Sequence, residues 1–355
     1  MVMNAAFWQG KRVLLTGHTG FKGAWLAVWL EKLGATVTGF ALPPKTEPNL
    51  FVEANLAARM RSEFGNVCDF SRLDAAMRDA NPEIIFHLAA QPLVRYSYAD
   101  PLETFSTNIM GTANLLHSAR ALPDLAAVVV VTSDKCYQNN DEGRAFVESD
   151  HMGGHDPYSA SKGCTELVTA AMRASFFNEG KAAIATVRAG NVIGGGDWSE
   201  DRLVPDLVRA ASSGIPARIR NPSAIRPWQH VLEPLAGYLT LAERLHTEGH
   251  AFAEAWNFGP APALDRSVEW VCAEAAQRWS GTALWVHDSS SQPREAKVLR
   301  LDSSKAIARL GWNSLLDHVE TIEWTLDWYH AFHNGVPALD LVTRQIDEYQ
   351  SRLTN

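Results

Sequence analysis

Two stretches of this 355-residue chain carry side chains whose types and spacing suit proton transfer. In Asp156-Pro-Tyr158-Ser-Ala-Ser-Lys162 a phenol and an amine stand four residues apart, on one face of a helix. An ammonium beside a phenol favours the phenolate. The spacing therefore predicts a Tyr158 pKa below the ordinary value of about 10 and a base that works near neutral pH. In Thr132-Ser-Asp-Lys-Cys-Tyr137, Ser133 offers a hydroxyl, Asp134 an acid and Lys135 an amine. Serine and aspartate also form ordinary turns, so this stretch reads equally well as a strand running into a loop. Tyr-x-x-x-Lys is common by chance, and its weight comes from the elements around it.

Those elements start with Ala127-Val-Val-Val-Val131, a strand whose unbroken apolar run predicts burial on both faces in a parallel sheet. Ligands of open α/β sheets bind beyond the carboxyl ends of such strands, where Ser133 and Asp134 would lie. Upstream, Arg12–Gly17 is a short apolar run, followed by His18-Thr-Gly20-Phe-Lys-Gly23 and a helical pattern over 24–33. Strand, glycine turn and helix make a phosphate-binding start. Gly17 allows the tight turn, Gly20 the approach of a pyrophosphate, and Gly23 close contact of helix and sheet. A second strand at 36–42 ends Phe40-Ala-Leu-Pro-Pro44, with no acid for a ribose hydroxyl and no basic residue before Lys45. NAD and NADP stay undecided there. Asn66-Val-Cys-Asp69 reads as a strand end whose carboxylate either touches an adenine or caps the next helix. Ile84–Ala90 is another apolar strand, and Glu103–Leu122 a helix carrying Asn108, with Phe105, Ile109, Ala113 and Leu116 on its apolar face. The alternation predicts an α/β, Rossmann doubly wound parallel sheet.

The length suits two lobes, since single cores stop growing at about 250–300 residues. Composition is ordinary globular, with 46% hydrophobic and 20% charged residues. A formal charge of −8 gives no electrostatic case for nucleic acid. No apolar run reaches the roughly 18 residues of a membrane span, and the first residues lack signal-peptide patterning. Cys68, Cys136, Cys164 and Cys272 lie far apart, without metal or disulfide spacing, and a reduced cytoplasmic protein is expected.

After Asn191 comes the glycine-rich loop Gly194-Gly-Gly-Asp-Trp198-Ser-Glu-Asp-Arg202, which could cover a ligand with Asn191 and Arg202 as polar contacts. Arg218, Arg220, Arg226 and Arg294 have the donor geometry for a diphosphate, though surface arginines are usually solvated. Val268–Trp279, Ser303–Leu310 and Leu315–His333 read as amphipathic helices, with Trp324, Trp328 and Phe332 as core packing. The expected division is a dinucleotide lobe over 1–190, with return segments near 231–260, and a second α/β lobe over 191–355.

With these pieces together, the chain resembles the extended short-chain dehydrogenase/reductase family over nearly its whole length. The resemblance rests on Thr16-Gly-His-Thr-Gly-Phe-Lys-Gly23, His87-Leu-Ala-Ala90, Asn108, Ser133 and Tyr158-Ser-Ala-Ser-Lys162. It continues through Arg188-Ala-Gly-Asn-Val192, Arg226-Pro-Trp-Gln-His-Val231 and Asp302–Trp312. Within that family it is similar to the nucleotide-sugar 4,6-dehydratases, most of all the CDP-glucose subgroup, through Thr132–Tyr137 and Asn191–Trp198. The resemblance implies NAD held by Gly17, Thr19, Gly20, Phe21, Lys22, Gly23, Asp69, Leu88, Ala89, Ala90, Asn108, Tyr158 and Lys162. It implies CDP-glucose as the partner of Asn191, Arg202, Arg218, Arg226 and Arg294, and a homodimer built on two helices per subunit. Ser133, Asp134, Lys135, Tyr158 and Lys162 would be catalytic. Epimerases of this family have small inert residues where Asp134 and Lys135 stand. Most dehydratases of the group have glutamate at the second position, so Lys135 is either an unusual base or a charge serving Asp134. A cofactor sensor without catalysis would have no need of Ser133, Tyr158 and Lys162.

Overall fold

The computed structural model describes residues 4–140, 143–260, 266–279, 284–290 and 298–354. In chain order its strands are β1 (Arg12–Thr16), β2 (Thr36–Ala41), β3 (Arg61–Phe64), β4 (Ile84–His87), β5 (Ala127–Val131) and β6 (Ala183–Ala189). Then follow β7 (Val192–Ile193), β8 (Ala217–Ile219), β9 (Ile225–Arg226), β10 (Gln229–His230), β11 (Ala255–Phe258), β12 (Arg266–Ser267) and β13 (Trp285–His287). Seven of them form one parallel sheet in the order β11-β6-β5-β4-β1-β2-β3. The order reverses between β1 and β4, the switch point at which a crevice opens beyond the strand ends. The short strands pair as β7–β10, β9–β12 and β8–β13.

The valine run of β5 is buried along its whole length, as expected. Val128 and Val130 pack with Leu14, Ile85 and Ile184 on one face of the sheet. Val129 and Val131 join Val13, Leu15, Phe86 and Val187 on the other. Period-two alternation thus fills two cores from one strand. The helix Leu232–Glu248 crosses the sheet closely enough that a Cβ on Gly237 would lie 2.3 Å from the Phe258 ring.

Two local readings change. The helix expected over 103–122 is Pro101–Phe105, a π turn at Ser106–Met110 and Gly111–Ala119. Such a bulge often marks a functional site, and this one holds Asn108. The strand end expected at 66–69 is a turn, because β3 stops at Phe64 and the Asn66 side chain accepts from Cys68 N at 2.9 Å. Among the described residues no helix is long and apolar enough to cross a membrane, and no cluster of His, Cys, Asp or Glu could hold a metal.

Candidate active site

The glycine turn is shaped by the absence of side chains. Gly17 has φ of +77°, and a Cβ there would lie 2.7 Å from Ala89 N. A Cβ on Gly23 would meet Gly17 O at 2.2 Å. The tail Leu88-Ala89-Ala90 therefore touches the turn, held by Thr16, whose hydroxyl accepts from Ala89 N at 3.2 Å and bonds His87 Nδ1 at 2.7 Å. The helix Phe21–Lys32 begins here with its N–H groups facing the crevice. Thr19 donates to Leu42 O at 2.9 Å, fastening the turn to the end of β2. His18, a residue the spacing did not single out, is fully buried and bonds Ser62 Oγ at 2.6 Å. Burial lowers its pKa to about 4, so it is neutral.

Beyond β5 the chain turns sharply. Ser133 caps a short 3-10 turn, accepting from Lys135 N at 3.2 Å and donating to Asp134 Oδ1 at 2.9 Å. Asp134 is buried, and among the described residues its Oδ2 has no hydrogen-bond partner. Burial raises its pKa, against the opposing pull of Lys135, the Ser133 hydrogen bond, Arg226 and Lys22. A Cβ on Gly190 would lie 2.1 Å from that Oδ2, so the carboxyl occupies the space a side chain would take.

The helix Pro157–Phe176 is capped by Asp156, which accepts from Ser159 N at 2.9 Å. Tyr158 N donates to Ser97 Oγ at 3.1 Å, and Lys162 Nζ donates to Val131 O at 3.2 Å. Tyr158 and Lys162 do share the face that meets Ser133. The phenol's shift runs opposite to the expected direction. Burial pushes Tyr158 up to about 12, and the Ser133 hydrogen bond only moderates this. Burial also lowers Lys162 to about 8, although Glu166 pulls the other way. Lys22 drops to about 7 through desolvation first and the charges of Arg202 and Lys162 second.

Asn108 braces this region. Its Oδ1 accepts from Gln91 N at 2.9 Å, and its Nδ2 donates to Gln91 O at 3.2 Å and Ser161 Oγ at 2.8 Å. It ties the tail of β4 to the Tyr158 helix through its own amide. Asp69 lies on the surface and accepts from Arg72 N at 3.1 Å, the helix-capping alternative.

The loop after Asn191 is pinned by the helix His318–His333. Gly195 lies so close to Trp328 that a Cβ would fall 2.0 Å from its ring, and Trp25 Nε1 donates to Gly195 O at 2.9 Å. Trp198 packs among Trp328, Tyr329 and Phe332, so the aromatic stripe is both core and loop clamp. The Tyr329 hydroxyl accepts from Asp197 N at 3.0 Å. Asp197 in turn accepts from Arg202 Nη1 at 2.8 Å. Burial opposes the Asp197 charge, but Arg202 wins and holds its pKa low. Arg202 is close enough to ease ionisation of Tyr158. Arg226 is buried and its charge reaches Asp134. Arg218 points away, 74% exposed and 3.5 Å from Asp288. Arg294 lies outside the described residues. Asp197, Gly190 and His18 stand inside motifs the sequence offers but have no role of their own there, and only the odd histidine inside a glycine turn hints at one.

A family model described as GDP-mannose 4,6 dehydratase matches residues 14–325. The CDP-glucose 4,6-dehydratase of Salmonella typhimurium is 48% identical over 353 residues, covering 98% of each chain. Among solved structures, the epimerase Mth375 of Methanothermobacter thermautotrophicus superposes with a TM-score of 0.80 at 22% identity, covering 94% of this chain and 96% of that one. DesIV, the dTDP-glucose 4,6-dehydratase of Streptomyces venezuelae solved with NAD and TYD bound, gives 0.78 at 21% identity, covering 92% and 99%. These structures show the shared fold. The chain belongs to the nucleotide-sugar 4,6-dehydratase family.

Proposed function

We propose that the protein is a CDP-glucose 4,6-dehydratase that uses NAD and converts CDP-D-glucose to CDP-4-keto-6-deoxy-D-glucose. The observation that carries the reading is Asp134, a buried carboxyl with one unpartnered oxygen beside Ser133 and Tyr158. Redox at C4 alone needs no such acid, whereas loss of water from C5–C6 needs one. The 48% identity to the Salmonella enzyme supports the cytidine nucleotide.

The cradle fits NAD, because Gly17 and Gly23 leave backbone where any Cβ would collide, at a helix N-terminus suited to a diphosphate. When bound, NAD supplies the hydride acceptor at C4, the hydride donor at C6 and a cationic ring. Ser133 and Tyr158 hold the 4-hydroxyl, and Tyr158 Oη takes its proton as the C4 ketone forms. Arg202 supplies positive charge toward that phenol, and the Ser133 hydrogen bond also favours its ionised form, which is what a group raised to about 12 requires. The ketone acidifies C5–H. The Lys135 amine, the candidate base on the same tip, takes this proton, and cleavage of C6–O gives water with Asp134 protonating the departing hydroxyl; the proton returns to C5 as hydride reaches C6. Lys135 stands first among the charges that draw Asp134 back toward ionisation, which supports a role in setting the acid's strength. Arg202 and Arg226 serve the substrate diphosphate. The dinucleotide lobe would comprise 1–190 with 231–260, and the sugar-nucleotide lobe 191–355.

A homodimer through the helices of residues 101–119 and 157–176 is supported by their exposed Leu102, Met110, Leu167 and Phe176. A hollow of about 550 Å³ lined by Phe70, His117, Arg120 and Phe176 lies on the same side. A cytoplasmic location suits four free cysteines. The test is incubation with CDP-, UDP-, dTDP- and GDP-glucose and GDP-mannose. A 4-keto-6-deoxy product is expected from CDP-glucose alone. Formation of the C4 epimer without loss of water would sink the reading.

A further inference from the structure

Directly beneath the reactive tip of β5 lies a buried ion pair that no catalytic step uses. Glu166 sits one helical turn after Lys162 on the Tyr158 helix, and Arg188 sits on β6; both are buried. Arg188 Nε donates to Glu166 Oε1 and Nη2 to Oε2, each at 2.8 Å. Thr132 Oγ1 donates to Oε1 at 2.5 Å and Thr186 Oγ1 to Oε2 at 2.7 Å. Each oxygen of the carboxylate thus accepts two bonds. Burial opposes its charge, but Arg188 and the two hydroxyls hold the pKa below the ordinary value.

The other end of the guanidinium reaches further. Arg188 Nη1 donates to the Tyr137 hydroxyl at 2.6 Å and to Glu148 O at 3.1 Å. The Tyr137 hydroxyl in turn donates to Asn257 Oδ1 at 2.7 Å, on β11. Thr132 and Tyr137 are the residues on either side of Ser133-Asp-Lys-Cys136. The tip is therefore suspended between two side chains that converge on one ion pair, and that pair is rooted in the helix bearing Tyr158.

We infer that Glu166 and Arg188 are positioning residues that set the tip carrying Ser133 and Asp134 at a fixed distance from Tyr158 and Lys162. Energetics favour this over a stabilising role alone. Two charges taken from water recover their desolvation only with excellent geometry, and apolar residues of equal volume often do as well or better. What such a pair supplies is a single arrangement, which apolar packing specifies less sharply. Here that arrangement spans the elements whose relative placement the reaction depends on. Misplacement of reacting groups by about 1 Å can cost two orders of magnitude in rate. Glu166 also helps Lys162 keep its proton, so removing its charge should lower the ammonium's pKa further.

This rests on the dehydratase reading, but the test uses whichever nucleotide-glucose the parent turns over, so it does not depend on the base recognised. Three full-length variants are compared in the presence of NAD by kcat, KM, thermal midpoint and the pH profile of kcat. Thr132→Val and Tyr137→Phe each cut one link from pair to tip; each should lower kcat about tenfold while KM stays within about twofold. Glu166→Gln should lower kcat about a hundredfold and move the alkaline limb of its pH profile to lower pH. If Glu166→Gln fails to fold, the tenfold losses in the two milder variants still sustain the inference. It is overturned if Thr132→Val and Tyr137→Phe keep the parental kcat, whatever happens to Glu166→Gln. A folded Glu166→Gln protein with the parental rate and pH profile overturns it as well.

Discussion

Two layers at the end of β5 use the same kinds of side chain in opposite ways. In the lower layer, Thr132, Glu166, Thr186, Arg188 and Tyr137 satisfy one another, and the carboxyl is held ionised. In the upper layer, a residue or two further along, Asp134 keeps an oxygen without a partner among the described residues, and burial raises Tyr158 and lowers Lys162. Burial is severe in both. The difference is whether compensating partners belong to the protein or are left for a ligand to bring. A buried polar group without its partner is costly, and the upper layer holds that cost where a substrate can relieve it.

The comparison can be broken most forcefully at Tyr158. Tyr158→Phe removes only an oxygen from the upper layer, so a loss of about three orders of magnitude in kcat is expected with an unchanged fold by circular dichroism. A fall in thermal midpoint instead would mean the phenol belongs with the structural layer. Next comes Asp134→Asn, expected to slow product formation about a hundredfold while C4 oxidation persists. Reduced cofactor would then accumulate, visible by its absorbance. The pH sense follows from the raised pKa of Asp134: its acid form, and the elimination step, persist to higher pH than an ordinary carboxyl would allow. Gly190→Ala sharpens the contrast by crowding the acid instead of removing it. The new Cβ would displace the Asp134 carboxyl and press on Pro227 Cγ at 2.9 Å, so elimination should slow about tenfold with a smaller fall in thermal midpoint.

The smallest effect on turnover is expected at Glu233, a buried carboxyl of neither layer. It accepts from Leu315 N at 2.9 Å, Leu316 N at 2.7 Å and the Tyr349 hydroxyl at 2.8 Å, but faces no cation in this set. Burial lifts its pKa from 4.5 to about 7, against those hydrogen bonds. A folded-state pKa above the unfolded one means that the stabilisation is complete below the unfolded value and is lost as pH rises through the folded one. Thermal midpoint should therefore decline between about pH 5 and 8, with the loss on the order of 3 kcal/mol. Glu233→Gln should flatten that decline and leave kcat near parental. A steep decline that survives the substitution would assign it to other groups.

Legibility from sequence followed distance along the chain. The glycine turn, the valine strand and the Tyr158–Lys162 face are each contained within a dozen residues, and their patterns are local physics. Glu166 and Arg188 look unremarkable separately, a glutamate in a helix and an arginine in a strand; only the fold makes them a pair. Tyr158 shares a helix with Lys162 as its spacing predicts, but its pKa shifts the other way, because a four-residue spacing reveals the neighbouring ammonium and says nothing of burial. Asp69 shows the reverse: one of its two readings, the helix cap, was visible in the sequence because a cap is a contact three residues long.

The seat of Gly195 against Trp328 has a consequence for how such a chain can drift. Neither position can change alone: a side chain at 195 needs the indole gone, and losing the indole uncovers Trp198 and the loop that carries Asp197 and Arg202. Sites far apart in the gene are thus bound into one heritable unit. Descendants of this fold that alter the loop should carry a matching change in the helix His318–His333, and a shuffled gene joining the two from different parents should fail at that seam.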